Sequence, residues 1–316
     1  MNTFDTIKLK AGIECLNSYN QNSFDDVVTV RNEETTMRAV LKNEAKTIGL
    51  KNITFDFNSD SMIMELSGKI LKQNYKDLIS IETIEKVIKE INNNGSINLN
   101  LNKFMESEVL RVDVTKDVLL EGNLPEYLKF FRFVENGRYR SELYNGSIVY
   151  RNNVKTKKNK DRLIMYDKQR EMKLVKNKEL WNYIKPKDFK NYLRIENNII
   201  SFAGIRKKLF IPDNKLESVL TSKRNVLAET FDKIVGSVNE NYLSFIYETI
   251  FEQREKKVEL KDLEKRLGRE QIIVIFDLDF DKVKSFLKYM VKGNVSRYVR
   301  EYKEVFDDML IYHDSE

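Results

Sequence analysis

Alternating apolar and polar residues mark strands over residues 6–10, 53–57 and 61–66, because successive side chains of a strand point to opposite faces. The turn-like Asn58-Ser59-Asp60 between the last two predicts a hairpin. Further on, Ile81, Ile84, Val87, Ile88 and Ile91 recur at helical spacing, with Ser80 as the candidate N-cap and Asn92-Asn93-Asn94-Gly95 as the stop. Strand patterns return at residues 107–114, 147–151, 161–166 and 191–200, with a helix between 168 and 183. After about Lys208 the period becomes helical, over 216–235, 240–254, 260–267, 280–291 and 295–310. This order predicts an α+β protein: residues 1–210 form an antiparallel sheet with helices packed on one face, and residues 211–316 form a mainly helical region, with Pro212 near the boundary. Residues 12–51 contain none of the motifs described below and read as an insertion relative to them.

Composition narrows the chemistry. The single histidine, His313, excludes every site that needs two, including zinc protease motifs and the His-x-His clamp of many DNA-nicking enzymes. The single cysteine, Cys15, excludes an intramolecular disulfide and a thiolate zinc cluster. Any metal is therefore held mainly by oxygen. The longest apolar runs, such as Ile272-Ile-Val-Ile-Phe276, fall far short of the roughly 20 residues of a membrane span, and the N-terminus lacks a signal-peptide core. These features predict a soluble cytoplasmic chain with no membrane partner.

Net charge is +6, but residues 150–210 carry 18 basic against six acidic side chains, so this segment holds the whole positive excess. Its densest run is KTKKNKDR, with Lys155, Lys157, Lys158, Lys160 and Arg162 between two predicted strands. It reads as a basic hairpin loop, suited either to a polyanion or to plain solvation.

Within and near that segment, polar residues stand at i and i+2 on strands whose intervening residues are apolar. Arg111 and Asp113 share a face in LRVDV, as do Arg194 and Glu196 in LRIE, and between them lies Tyr166-Asp-Lys-Gln-Arg-Glu171. A tyrosine hydroxyl, with a pKa near 10, attacks phosphorus poorly unless a metal or cation lowers that value and neutralises the developing charge. Asp113, Glu171 and Glu196 can supply an oxygen site for Mg²⁺ or Mn²⁺. Lys168, Arg170 and Arg194 can contact phosphate, with KTKKNKDR tracking the strand. The same spacings also suit a surface ion-pair ladder and an ordinary strand end, and spacing alone leaves both readings open.

The ordered set TIKL near residue 6, LRVD at 110–113, YDKQRE at 166–171 and LRIE at 193–196 resembles the rolling-circle replication initiators of filamentous phages, of the gene II protein type. It is similar also to the initiators of staphylococcal-type rolling-circle plasmids, which share Tyr-x-Lys-x-x-Glu followed by an Arg-x-Glu strand. Val295-Ser-Arg-Tyr-Val-Arg-Glu-Tyr302 resembles the Ser-Arg-Tyr segment in the C-terminal domain of the phage proteins. The resemblance implies a site-specific nicking and strand-transfer enzyme. Tyr166 would be its nucleophile, with Lys168 in the same motif, and Asp113, Glu171 and Glu196 would match the acidic positions for Mg²⁺ or Mn²⁺. Such an enzyme cuts single-stranded or supercoiled origin DNA, keeps the 5′ end as a phosphotyrosine, and leaves a 3′-OH for the host polymerase. No Walker P-loop is present, so it would borrow a host helicase.

Competing signals are weaker. Tyr298 and Tyr302 mimic the paired tyrosines of His-x-His nicking enzymes, which one histidine cannot build, so helix packing or DNA contact beside Arg297 and Arg300 is the better reading. Asp279 or Asp281 is expected to cap the helix that follows. The alternatives to an initiator are a non-catalytic DNA-binding replication regulator and an RNA-binding module, the latter lacking the aromatic pair that stacks bases.

Overall fold

The computed structural model describes residues 2–31, 34–121, 124–125, 128, 131, 139–144, 146–152, 162–174, 178–236, 259–261, 264, 268–269, 272–273, 276 and 279–313. It divides into two units, residues 1–235 and 236–316.

The first unit begins with β1 (Phe4–Gly12), β2 (Leu16–Tyr19), β3 (Phe24–Arg31), β4 (Glu34–Leu41), β5 (Leu50–Asp56) and β6 (Ser61–Ser67). An irregular 3-10 segment (Gly68–Asp77) leads to α1 (Ile84–Asn93), β7 (Ile97–Leu99), α2 (Leu101–Met105) and β8 (Glu108–Leu119). Next come β9 (Tyr139–Tyr144), β10 (Ser147–Asn152), β11 (Arg162–Asp167), α3 (Lys168–Leu174), β12 (Tyr192–Ile199), α4 (Phe202–Leu209), α5 (Leu216–Thr221) and α6 (Val226–Phe231). Ten strands form one antiparallel sheet in the order β3-β4-β5-β6-β1-β8-β12-β11-β10-β9, and β2 pairs with β7. The α+β class is as the hydrophobic pattern predicts.

Three local expectations change. Residues 24–41, for which no strand was expected, form β3 and β4, which extend the sheet beyond β5, with Phe24, Ala39, Leu41 and Phe55 buried on one face. Ser80 does not cap α1; the N-cap is Thr83, whose hydroxyl is taken by the Leu78 carbonyl, and the Ser80 hydroxyl donates to Glu82 at 2.7 Å. The division expected after residue 210 lies after 235. Leu216, Val219, Leu220, Val226 and Leu227 are buried in the first unit, and Thr230 of α6 is 2.9 Å from the Asn197 side-chain amide of β12.

Helices α4 to α6 cover one face of the central strands, where Val112, Val114, Leu193 and Asn197 are buried. On the other face, α3 and the 3-10 turns Lys178–Asn182 and Pro186–Phe189 close one end, packing Met172, Leu180, Ile184 and Phe189 around Tyr75. Helices thus stand on both faces of the sheet.

In the second unit, α7 (Phe280–Met290) and α8 (Val295–His313) pack Val283, Phe286, Leu287, Met290, Tyr302 and Phe306 into a core with Ile272 and Ile273. Asp279 caps α7 by accepting from the backbone N–H groups of Asp281 and Lys282, as expected. Tyr302 is wholly buried, which gives it a packing role. The helix expected over 240–254 lies outside the described residues. No helix among the described residues is long and apolar enough to cross a membrane.

Candidate active site

Register decides which side chains share the face opposite α4 to α6. Reading from β9 across to β8, one row holds Arg140, Arg151, Arg162, Asn198 and Asp113. The next holds Glu142, Val149, Ile164, Glu196 and Thr115, and the third Tyr144, Ser147, Tyr166, Arg194 and Asp117. The i, i+2 pattern puts most apolar residues of these strands on the covered face, and the opposite face is polar apart from Val149 and Ile164 in the middle row.

At its centre the Tyr166 hydroxyl donates to Glu196 Oε1 at 2.7 Å. Burial, and then the neighbouring Asp5 charge, push the Glu196 carboxyl up to about 7, with Asp113 adding to the rise. Burial and the adjacent Glu196 hold the Tyr166 phenol well above its ordinary range. Resting Tyr166 is thus a protonated donor to Glu196, not the acidified phenol that the sequence leads one to expect.

Beside this pair lies a closed ionic network. Arg194, with none of its surface exposed, donates two 2.6 Å hydrogen bonds to Asp117, its register partner, and one each to Asp5 (2.9 Å) and the Tyr75 hydroxyl (2.8 Å). Tyr75 in turn donates to Asp5 at 2.8 Å. Lys168, 1 % exposed, reaches the Tyr75 hydroxyl at 2.8 Å and Glu171 at 2.6 Å, and Lys69 meets the other Glu171 oxygen at 3.3 Å. Burial raises the Asp5 and Glu171 carboxyls, but Arg194, Lys168 and Lys69 beside Asp5, and Lys168 and Lys69 beside Glu171, outweigh it, and both lie below the ordinary range.

This arrangement revises several assignments. Arg194 and Lys168, expected at phosphate, are enclosed and bonded to protein carboxylates. Glu171, expected with Asp113 and Glu196 at a metal, is held by two lysines. Asp113 is bound by Arg111 at 3.0 Å and by the Asn198 amide, and burial pushes its carboxyl up. Arg170 is exposed, its guanidinium resting on Gly146, where an added Cβ would lie 2.3 Å from Nη1. Arg297 is ion-paired with Glu301 at 2.8 Å, whereas Arg300 is exposed and has no ion pair among the described residues. Lys155, Lys157, Lys158 and Lys160 lie outside the described residues. Asp5, Tyr75, Asp117 and Lys69 are additions. Asp117 was legible as the next same-face acid after Asp113; Tyr75, in an irregular segment, was not.

Among the described residues no three acidic, histidine or cysteine side chains converge as a ready-made cation site. Asp113 and Glu196 nevertheless fit a hard cation in part. They stand on neighbouring strands, each raised by burial and by nearby anions, a repulsion that a divalent ion would relieve. Two carboxylates completed by water and phosphate oxygens suffice for Mg²⁺.

The Glu196 environment has a measurable consequence. Its folded pKa lies above the unfolded value of about 4.3, so the protein loses stability as pH rises through 7. With divalent ions chelated, Glu196→Gln is expected to remove that loss, gaining up to about 3 kcal/mol on wild type at pH 8.5 relative to pH 5. Urea unfolding at the two pH values checks it; an equal difference at both would mean that Glu196 is not buried among anions.

No protein-family model matches the chain, and no curated protein matches it.

Proposed function

We propose that this chain is a metal-dependent DNA nicking-closing endonuclease with a tyrosine nucleophile, an initiator of rolling-circle replication. The observation that carries the reading is the 2.7 Å hydrogen bond from the Tyr166 hydroxyl to Glu196. A carboxylate raised toward neutrality beside a tyrosine hydroxyl supports an acid–base role for the pair.

The chemistry follows from these groups. Glu196 takes the Tyr166 proton as the phenol oxygen bonds to phosphorus and the P–O3′ bond breaks. Glu196 then returns the proton to the leaving 3′-oxygen, giving a primer hydroxyl and a 5′-phosphotyrosine. The reverse sequence closes a strand. Lys168 and Arg194 do not touch DNA in this scheme; through Tyr75, Glu171, Asp117 and Asp5 they hold β11, β12 and α3 in register, so that Tyr166 and Glu196 stay aligned. Asp113 and Glu196 would hold Mg²⁺ or Mn²⁺, which would neutralise phosphate charge and favour the phenolate. A host polymerase would extend the primer while a host helicase unwinds the duplex.

The test is incubation of labelled single-stranded and supercoiled origin DNA with Mg²⁺ or Mn²⁺, read as a protein–DNA adduct that survives SDS. We expect an adduct that chelation abolishes. Intact DNA-binding without an adduct on any origin would support the regulator instead.

A further inference from the structure

Asn198 extends the i, i+2 series of β12 by one step beyond Arg194 and Glu196, so it shares their face, directly opposite Asp113 on β8. It is 4 % exposed. Its side-chain nitrogen donates to Asp113 Oδ1, while its own Oδ1 is enclosed and accepts no hydrogen bond among the described residues. A buried carbonyl oxygen without a donor costs stability, and a bound ion is one of the few things that offsets that cost.

The surroundings say what kind of ligand suits that oxygen. The amide oxygen and nitrogen share one carbon, so Oδ1 lies within about 5 Å of the Asp113 carboxylate, and the Asp113 charge reaches Glu196. An orphaned oxygen between two carboxylates calls for a hard cation, and two oxygen ligands of one Mg²⁺ stand at most about 4 Å apart. A small turn of the amide closes the gap. Asp113 Oδ1 is also the less firmly held of its two oxygens: Arg111 meets Oδ2 at 3.0 Å but Oδ1 only at 3.3 and 3.4 Å. The charge fits as well. Two carboxylates match a divalent ion, and with the Asp5 charge close by, a third acid would add repulsion where an uncharged amide adds only an oxygen. An ion has a way in, because Glu196 is half-buried and the Asp113 side chain is 10 % exposed.

We propose that Asn198 Oδ1 is the third oxygen ligand, with Asp113 and Glu196, of the Mg²⁺ or Mn²⁺ that assists Tyr166. The proposal rests on the metal-dependent reading above and completes its set of protein donors; water and phosphate oxygens supply the rest. Without the ion the same amide serves Asp113 as a donor and keeps that carboxylate in place. An amide can play both parts because it carries a donor and an acceptor. One other partner for Oδ1 stands nearby: Arg162, opposite Asn198 on β11, has an enclosed Nε that is also unpaired. If the two side chains only bridge their strands, metal affinity does not depend on Asn198.

The test is Mn²⁺ binding to the full chain, followed by the electron paramagnetic resonance signal of the free ion. Asn198→Ala is expected to weaken binding at least about 10-fold, the lower end of the loss on removing a group that supports a metal ligand. Equal affinity in a folded Ala variant, or no Mn²⁺ binding by wild type, overturns the proposal. Wild-type protein labelled with ¹⁵N-asparagine gives a second measurement: the side-chain amide resonances of Asn198 are expected to shift as Mg²⁺ saturates the site. Unmoved resonances overturn the proposal even where the Ala variant fails to fold. Failure of the nicking reading looks different: wild type forms no covalent adduct, while Mn²⁺ affinity still falls when Asn198 is replaced.

Discussion

Tyr166→Phe is expected to lower covalent adduct formation and strand nicking at least about 10⁴-fold, to background, while single-stranded DNA binding stays within a factor of about two. The asymmetry follows from what the substitution removes. The hydroxyl is the one atom that can bond to phosphorus and hand a proton to Glu196, whereas the phenyl ring keeps its packing between β10 and β12. The loss of the hydrogen bond also leaves Glu196 without its donor, at a small cost in stability. Gel analysis of labelled origin DNA after SDS treatment, beside a binding isotherm, checks both halves. Equal adduct from the Phe variant would move the nucleophile elsewhere, and Tyr75 is no substitute, because it is fully enclosed and already bonded to Asp5, Lys168 and Arg194.

Arg194→Met is expected to destabilise the first unit by about 3–5 kcal/mol, a large part of the usual total. The guanidinium is wholly enclosed, and its removal strands the Asp117 and Asp5 carboxylates in a place water does not reach freely. Arg194→Lys restores the charge but not the two-pronged contact with Asp117, so an intermediate loss is expected. The pH dependence has a defined sign. The native Asp5 carboxyl lies below its ordinary range, so the stability it contributes is present above about pH 4 and is lost as pH falls through the native value. The gap between wild type and Arg194→Met should narrow correspondingly in acid. Chemical denaturation at pH 7 and pH 3 measures it; a loss under about 1 kcal/mol at pH 7 would mean that the network is not formed.

The motif spacing and the burial of its members point in different directions. Tyr-x-Lys-x-x-Glu is legible along the chain, and the structure realises it locally: Tyr166 ends a strand, and Lys168 and Glu171 meet one helical turn later. The basic excess of residues 150–210 was legible too, yet two of its cations, Lys168 and Arg194, are turned inward to carboxylates contributed by β1, β8 and α3. Charge density along a chain says nothing about which side chains find a buried acid, because that depends on partners as distant as Asp5, 189 residues from Arg194. The strands at residues 24–41 were missed for a related reason. Only part of each is buried, so Val27, Val28 and Met37 stay exposed and the alternation is blurred.

Sequence alone determined the α+β class, the strand and helix periods of the central elements, the exclusion of histidine and thiolate metal chemistry, and the candidates Tyr166, Asp113 and Glu196. These are properties of neighbouring residues or of composition. Tertiary structure decided which acid faces Tyr166 and that Lys168 and Arg194 are turned inward to carboxylates. Those outcomes depend on strand register, and register is selected by the one alignment that buries the apolar face of every strand together, a condition no single segment contains.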